Sequence, residues 1–318
     1  MITTFNDLCR TFDLPSTSED DKKLASLVHW CYENISTDVG YTGTTAEKYT
    51  HYLDFAKHYF NAFLPHVTED KKLKVIQFGL LNAIQYAAQQ GYDQFIMKQI
   101  SDHDVALDEQ NEYGMTPLHL SAVYGYDHTV NALLVKGANP RILNHQAQPP
   151  IFSALFVPMS HADDLKAKKV RIFKALMATA PETITHHDKS GNTVFHLMVV
   201  NGFFELLTSM LHENTEGAFY RNHHSHYPIH SAILNNQIVA AKYLLAIPHV
   251  AALADAQHQV ALHYAARYGS KEMMEICCAA TTDLNCRDGS GKTALMLATE
   301  AQNVEAIQVL IKNGCFID

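Results

Sequence analysis

Apolar residues return along most of this chain in two alternating stretches. The first is short and opens on a hydroxyl, as in Thr116-Pro117-Leu118-His119-Leu120-Ser121-Ala122-Val123-Tyr124-Gly125. The second closes on Gly, as in TVNALLVKGAN at 129–139 and VEAIQVLIKNG at 304–314. Both have the spacing of a short helix with one buried face. Thr and Pro start the first helix, and Pro suits a first turn where its missing N–H is not needed. Leu and the small Ala pair face a neighbour at close range, and Gly closes the helix in a left-handed conformation.

The pattern recurs. TVFHLMVVNG covers 193–202, YPIHSAILNN 227–236, VALHYAARYG 260–269 and TALMLATEAQ 293–302, with an upstream match, NAIQYAAQQG, at 82–91. The terminal positions 91, 125, 202, 236, 269 and 302 are separated by 34, 77, 34, 33 and 33 residues. QPPIFSALF at 148–156 supplies the copy missing from the long step. Asn236 is an acceptable left-handed residue and Gln302 is not, so the last copy is expected to be less regular. A period of this length marks a stacked array in which no copy can bury its hydrophobic faces alone.

With its T-P-L-H-x-A-A core, the array resembles the ankyrin repeat family over roughly residues 76–318, in seven copies. The resemblance implies an all-α solenoid of helix-turn-helix repeats with short β-hairpin loops. It also implies a protein-binding role through a concave face made by hairpin tips and first-helix faces. In that family the His of the core hydrogen-bonds near the helix start and ties neighbouring hairpins. His119, His196, His230 and His263 occupy the position.

One stretch suggests other chemistry. Gly291-Lys292-Thr293 in RDGSGKTALMLA (287–298) is the end of a phosphate-loop pattern, but Cys286 stands where the pattern needs its first glycine. Residues 281–285 also lack the apolar β-branched run of a buried feeding strand. The segment is instead in phase with Asp188-Lys189-Ser190-Gly191-Asn192-Thr193 and Asn111-Glu112-Tyr113-Gly114-Met115-Thr116. In ankyrin repeats this D-x-x-G-x-T stretch forms the hairpin tip, so no nucleotide is expected there.

Residues 1–75 do not fit the period and are expected to form a small helical cap. LASLVHWCYENI (24–35) has helical spacing, and a second helix is expected from about 45 to 63, ending near Pro65. An insertion falls at 156–169, where Ser160 and Asp163 resemble a helix-starting box and DDLKAKKVRIFKALMA reads as a lengthened second helix. A tolerated loop expansion and a dedicated partner contact both fit it.

Composition narrows the function. Hydrophobic residues make up 47% and charged residues 18% of 318, which suits a folded chain. The net charge, 24 − 33 = −9, argues against nucleic acid and anionic membrane as partners. No apolar run is long enough for membrane insertion, and the start lacks the regions of a secretory signal. Six cysteines without a CxxC spacing suit a reduced, cytoplasmic setting.

Twenty histidines invite a metal or a base. His145, His186, His187, His223, His224, His226 and His258 fall at or beside hairpin tips. His223 and His226 could share a metal, but no acidic or Cys ligand lies at a suitable spacing, so neither metal nor cofactor is expected. Cys31 with His29, His51 or His58 lacks room for the scaffold of a cysteine hydrolase, and Cys277-Cys278 reads as packing. No catalytic residue is assigned and no enzyme is expected. The partner is expected to be another protein. Repeat phase nominates Glu112, Tyr113, Met115, Val123 and Tyr124, then His145, Gln146 and Gln148, then Lys189, Asn192 and Asn201. It adds His223, His224, His226, Arg267, Tyr268 and Lys292. Tyr113, Tyr124, Arg267 and Tyr268 are the expected anchors.

An alternative follows from composition. Degenerate repeats rich in His, Gln and Asn are similar to ankyrin proteins of intracellular bacteria. The array would then be the targeting module of an effector that modifies a host protein in the host cytosol, through an N-terminal or missing C-terminal enzymatic segment. The chain stops at 313–318, where a further hairpin should begin. An open C-terminal end or a fragment of a longer protein is therefore expected.

Overall fold

A computed structural model describes residues 107–156 and 163–315, together with Gln85 and Ala88. The expected cap at 1–75, most of the copy at 82–91, Ser160 and the Cys31 neighbourhood lie outside the described residues. Two compact units divide the chain at Asn144/His145.

In the first unit, α1 (Pro117–Tyr124) and α2 (Asp127–Val135) form one helix pair. Thr116 is extended at the N-cap, and Gly125 closes α1 in the left-handed region at φ 80°. Leu118, Ala122, Val130 and Leu133 are fully buried.

The second unit stacks five pairs. These are α3 (Pro150–Ser153) with α4 (Asp163–Thr179), α5 (Val194–Val200) with α6 (Phe204–Glu213), and α7 (Pro228–Leu234) with α8 (Ile238–Leu245). Next come α9 (Ala261–Tyr268) with α10 (Lys271–Ala280) and α11 (Ala294–Glu300) with α12 (Val304–Lys312). First helices pack in one row, α3 to α5 to α7 to α9 to α11, and α6, α8, α10 and α12 form a second row. The core lies between the rows, on Phe152, Phe173, Met198, Ile229, Leu262, Met274 and Leu297. Cys277 and Cys278 are buried there, and burial pushes their thiols up to about 12 and about 11. They pack, as expected.

The insertion alters one pair. Helix α3 is a single turn of 4 residues, whereas α4 runs for 17, the lengthened helix expected from its sequence. Stopping α3 early leaves carbonyls without intrahelical donors. Lys169 of α4, fully buried, answers this by aiming Nζ at the Ser153 carbonyl, 3.3 Å away. Burial lowers its pKa to about 8.

Two expectations about the repeat need correction. The short β-hairpins are turns here: among the described residues the pairing is one isolated antiparallel bridge, Arg287 with Thr293. The left-handed helix closure also moves. Gly125, Gly202 and Asn236 have it, but Gly269 is extended (φ −80°, ψ 156°) and Gln302, thought unsuitable, is left-handed at φ 56°. Ser270, itself extended, caps α10 through its side chain. Gly269 is required there for space: a Cβ would lie 2.8 Å from the Ala265 carbonyl.

Candidate functional site

Among the described residues, five turns are each organised by one Asn or Asp side chain. Asn111 Oδ1 accepts the backbone N–H groups of Tyr113 and Met115. Asp188, Asn222, Asp255 and Asp288 each do the same for the residues two and four positions on. This Asx turn holds the third residue after the Asn or Asp at positive φ, at Gly114, Gly191, Ser225, His258 and Gly291. In the Gly291-Lys292-Thr293 stretch the same turn takes up groups that a phosphate loop would offer. The N–H groups of Ser290 and Lys292 already donate to Asp288, and Lys292 Nζ pairs with Glu300 at 2.6 Å.

The residue four after the Asx reaches into the next turn. Gln148 donates to Asp188 Oδ2 at 3.1 Å, Gln259 donates to Asp288 Oδ2 at 2.9 Å, and Asn192 Oδ1 accepts from Asn222 at 2.8 Å. Backbone bonds run beside them at the tips: Lys189 N–H to the Gln146 carbonyl, His223 to Ser190, and Gly289 to Gln257. Between the turns at 222–226 and 255–259 the tip bond is replaced by side chains. Tyr264 donates its hydroxyl to Asp255 Oδ2 at 2.7 Å. With that proton committed, His226 Nε2–H donates to the phenol oxygen at 2.9 Å. Burial is the main reason the Tyr264 hydroxyl is held well above its ordinary pKa.

The histidines of the helix core are structural. His196 Nδ1 accepts the Thr193 N–H at 3.2 Å, and its Nε2 donates to the His226 carbonyl at 3.0 Å. His263 repeats this with Val260 and the Cys286 carbonyl. His230 Nδ1 accepts from Tyr227, but its buried Nε2 has no hydrogen bond of ordinary geometry and faces a cluster of His226 and Tyr264 rings. Burial lowers both His196 and His230 to about 4. Burial also lowers His226 and His263.

The nominated residues therefore divide. Glu112, Tyr113, Tyr124, His145, Gln146, Lys189, His223, His224 and Tyr268 are exposed. Gln148, Asn192 and His226 are half-buried ties between turns, and Lys292 and Arg267 both lean on Glu300. Asn201 donates back to the Leu197 carbonyl to close α5. Met115 and Val123 are half-buried. The turns' own organisers, Asp188, Asp255, Asp288, Gln259 and Tyr264, were not nominated. Their sequence signal is an Asn or Asp at the tips in the same phase, which marks the turn but does not by itself reveal the linkage. Among the described residues no three His, Cys, Asp or Glu side chains converge as for a metal, and no helix is long and apolar enough to cross a membrane.

The family signature described as "Ankyrin repeats (3 copies)" matches residues 49–144 and 247–318. NF-kappa-B inhibitor cactus of Drosophila yakuba is 25% identical over 204 residues, covering 64% of this chain and 39% of the relative. The ankyrin repeat and KH domain-containing protein mask-1 of Caenorhabditis elegans is 25% identical over 203 residues, 64% of this chain but 7% of its own length. The chain thus spans less than half of the curated relatives it matches. The human ASB11 ankyrin repeat domain superposes with a TM-score of 0.56 at 20% identity, covering 74% of this chain and 99% of that one. That likeness shows the fold.

Proposed function

Because the chain belongs to the ankyrin repeat family, we propose that it is a protein–protein interaction scaffold, holding a partner on the turn tips and the ends of its first helices. The observation that carries the reading is a set of unburied tyrosines at those two places. Tyr113 at a tip is 62% exposed, and Tyr124 and Tyr268, in equivalent positions at the ends of α1 and α9, are 44% and 55% exposed. Aromatic side chains at exposed positions are among those that dominate measured hot spots. Arg267 stands over the Tyr268 ring at 6.0 Å, a pair that presents one flat cationic–aromatic surface. Each unit adds exposed tip residues of its own: Glu112 in the first, and His145, Gln146, Lys189, His223 and His224 in the second.

Binding of a partner captured on the intact chain tests this. Tyr124→Ala and Tyr268→Ala should each weaken that partner by ~1–3 kcal/mol with unchanged folding. If both variants bind like the parent while removal of residues 1–70 abolishes binding, the contact belongs to the aromatic segment around Tyr49, Tyr52 and Tyr59 and the reading fails.

A further inference from the structure

The chain carries a formal charge of −9, but the second unit does not distribute it evenly. In the turns at 186–192, 220–226 and 254–260 the only acids are Asp188 and Asp255. Both are buried, with their carboxylate oxygens accepting hydrogen bonds from within the turns. What these turns display is Lys189, Arg221, His187, His223, His224 and His258, all exposed. The tip bond from His223 N–H to the Ser190 carbonyl sets the first two of these turns side by side. Neither Lys189 nor Arg221 meets a carboxylate among the described residues. Exposed acids flank these turns and occupy the other row: Glu182 and Glu216 lie in the short 3-10 helices that lead into 186–192 and 220–226, and Glu205, Glu272 and Glu305 in the first turns of α6, α10 and α12. Glu300, at the end of α11, is already engaged by Arg267 and Lys292, which bounds the cationic stretch on its C-terminal side.

Resting on the scaffold reading above, we propose that the edge formed by the turns at 186–192, 220–226 and 254–260 receives an acidic, carboxylate-rich segment of the partner protein. Two cations without a carboxylate partner among the described residues, and a line of imidazole N–H donors, complement an extended chain of Glu or Asp. The carboxylates of that edge, Asp188 and Asp255, are buried and hydrogen-bonded within the turns, so what it exposes is Lys189, Arg221 and imidazoles. The strongly negative remainder of the molecule disfavours a nucleic acid, whose charge is dense and continuous along its length.

The test measures anisotropy of fluorescent peptides against the full chain. One peptide is rich in Glu, one rich in Lys and one built of Gly and Ser, each long enough to cross three repeats, with single-stranded RNA as a fourth probe. The Glu peptide should bind best and weaken as salt is raised. Lys189→Glu combined with Arg221→Glu should cost roughly tenfold in its affinity, since exposed charges act individually but add over a cluster. Lys271→Glu with Lys312→Glu, the same charge change on the second row, should cost less than about twofold because screening confines each charge's reach. The inference is overturned if the Lys, neutral or RNA probe binds as well as the Glu peptide, if no peptide binds, or if the two double variants lose equally. Should it be overturned while Tyr268→Ala still weakens a captured protein partner, the scaffold reading stands alone. Should both measurements fail, both fall.

Discussion

Two neighbouring junctions in the second unit solve one problem with different chemistry. Between the turns at 255–259 and 288–292, an amide, Gln259, reaches the next carboxylate, Asp288, and a backbone bond from Gly289 to Gln257 runs alongside. Between the turns at 222–226 and 255–259, the same repeat position is His226. Its imidazole reaches Asp255 only through Tyr264, and the backbone bond at the tip is missing. The amide at position 259 does not titrate, so the titrating groups of that junction are His263, which burial lowers, and Asp288, whose several hydrogen bonds outweigh its burial and lower its pKa. The imidazole junction packs His226, His230 and Tyr264 together, with His230 and Tyr264 ring centres 4.7 Å apart. An equivalent position can thus carry equal connectivity and unequal sensitivity to acid.

The largest effect expected is in the core that backs both junctions. Leu262 on α9 is fully buried, as is Leu118 on α1, so Leu262→Ala and Leu118→Ala should each cost ~2–5 kcal/mol through lost transfer energy and a residual cavity. Denaturant melts that show these changes no costlier than tip changes would place the repeat phase wrongly.

Acid should come next. His196 and His230 sit near pKa 4 in the folded chain against an ordinary 6.5, so the unfolded chain binds more protons between those values. Their stabilisation is complete above pH ~6.5 and is lost as pH falls toward ~4, by roughly 3 kcal/mol each from the size of the shifts. Urea midpoints at neutral pH and at pH ~5 measure it. A midpoint that holds steady or rises in acid would contradict the burial of these rings.

The comparison itself is sharpened by two substitutions. Tyr264→Phe removes the hydroxyl that links His226 to Asp255 and should cost ~1–3 kcal/mol, because it leaves a buried carboxylate oxygen without its donor. His226→Gln copies the amide chemistry of position 259. It should keep neutral-pH stability within about 1 kcal/mol of the parent while reducing the acid sensitivity. If His226→Gln leaves the pH dependence untouched, the imidazole junction is no more acid-sensitive than its neighbour.

Exposed tips should matter least. Gln146→Ala, whose side chain is exposed, is expected within about 0.5 kcal/mol of the parent. Lys292→Ala should be similarly mild, its pair with Glu300 being half in water, and should leave the thermal midpoint equally indifferent to added ATP.

Much of the fold was legible because the repeat writes its helix starts and stops locally. Thr116, Thr193 and Thr293 begin helices where their spacing places them, and the Leu and Ala positions between are buried. The candidate site was less legible. Exposure of Tyr113, Tyr124 and Tyr268 followed from phase alone, but Gln148, Asn192 and His226 occupy tip positions and still turn inward. A sequence offers no way to tell a polar side chain pointing to water from one bonded to the next repeat, since the bonding partner is some 30 to 40 residues away. Lys169 is the same lesson in the core. Nothing around it in DDLKAKKVRIF marks it for burial, and only the early end of α3 supplies the carbonyl that accommodates it.

The sequence by itself determined the period, the helix pairs and the residues that must be buried between them, because propensity, capping and apolar spacing act within a single copy. Tertiary structure decided what happens where copies meet. Gln302 takes a left-handed conformation that costs a non-glycine residue about 1–2 kcal/mol. The next residue shows why: Asn303 caps α12 and donates to the carbonyls of Ala266 and Gly269 in the preceding repeat. Gly269, in turn, is extended, its carbonyl accepting from Asn303 of the next repeat while the adjacent Ser270 hydroxyl donates to Asn236 Oδ1 of the preceding one. Neither conformation follows from its own residue type, because each is held by hydrogen bonds that exist only once the repeats are stacked.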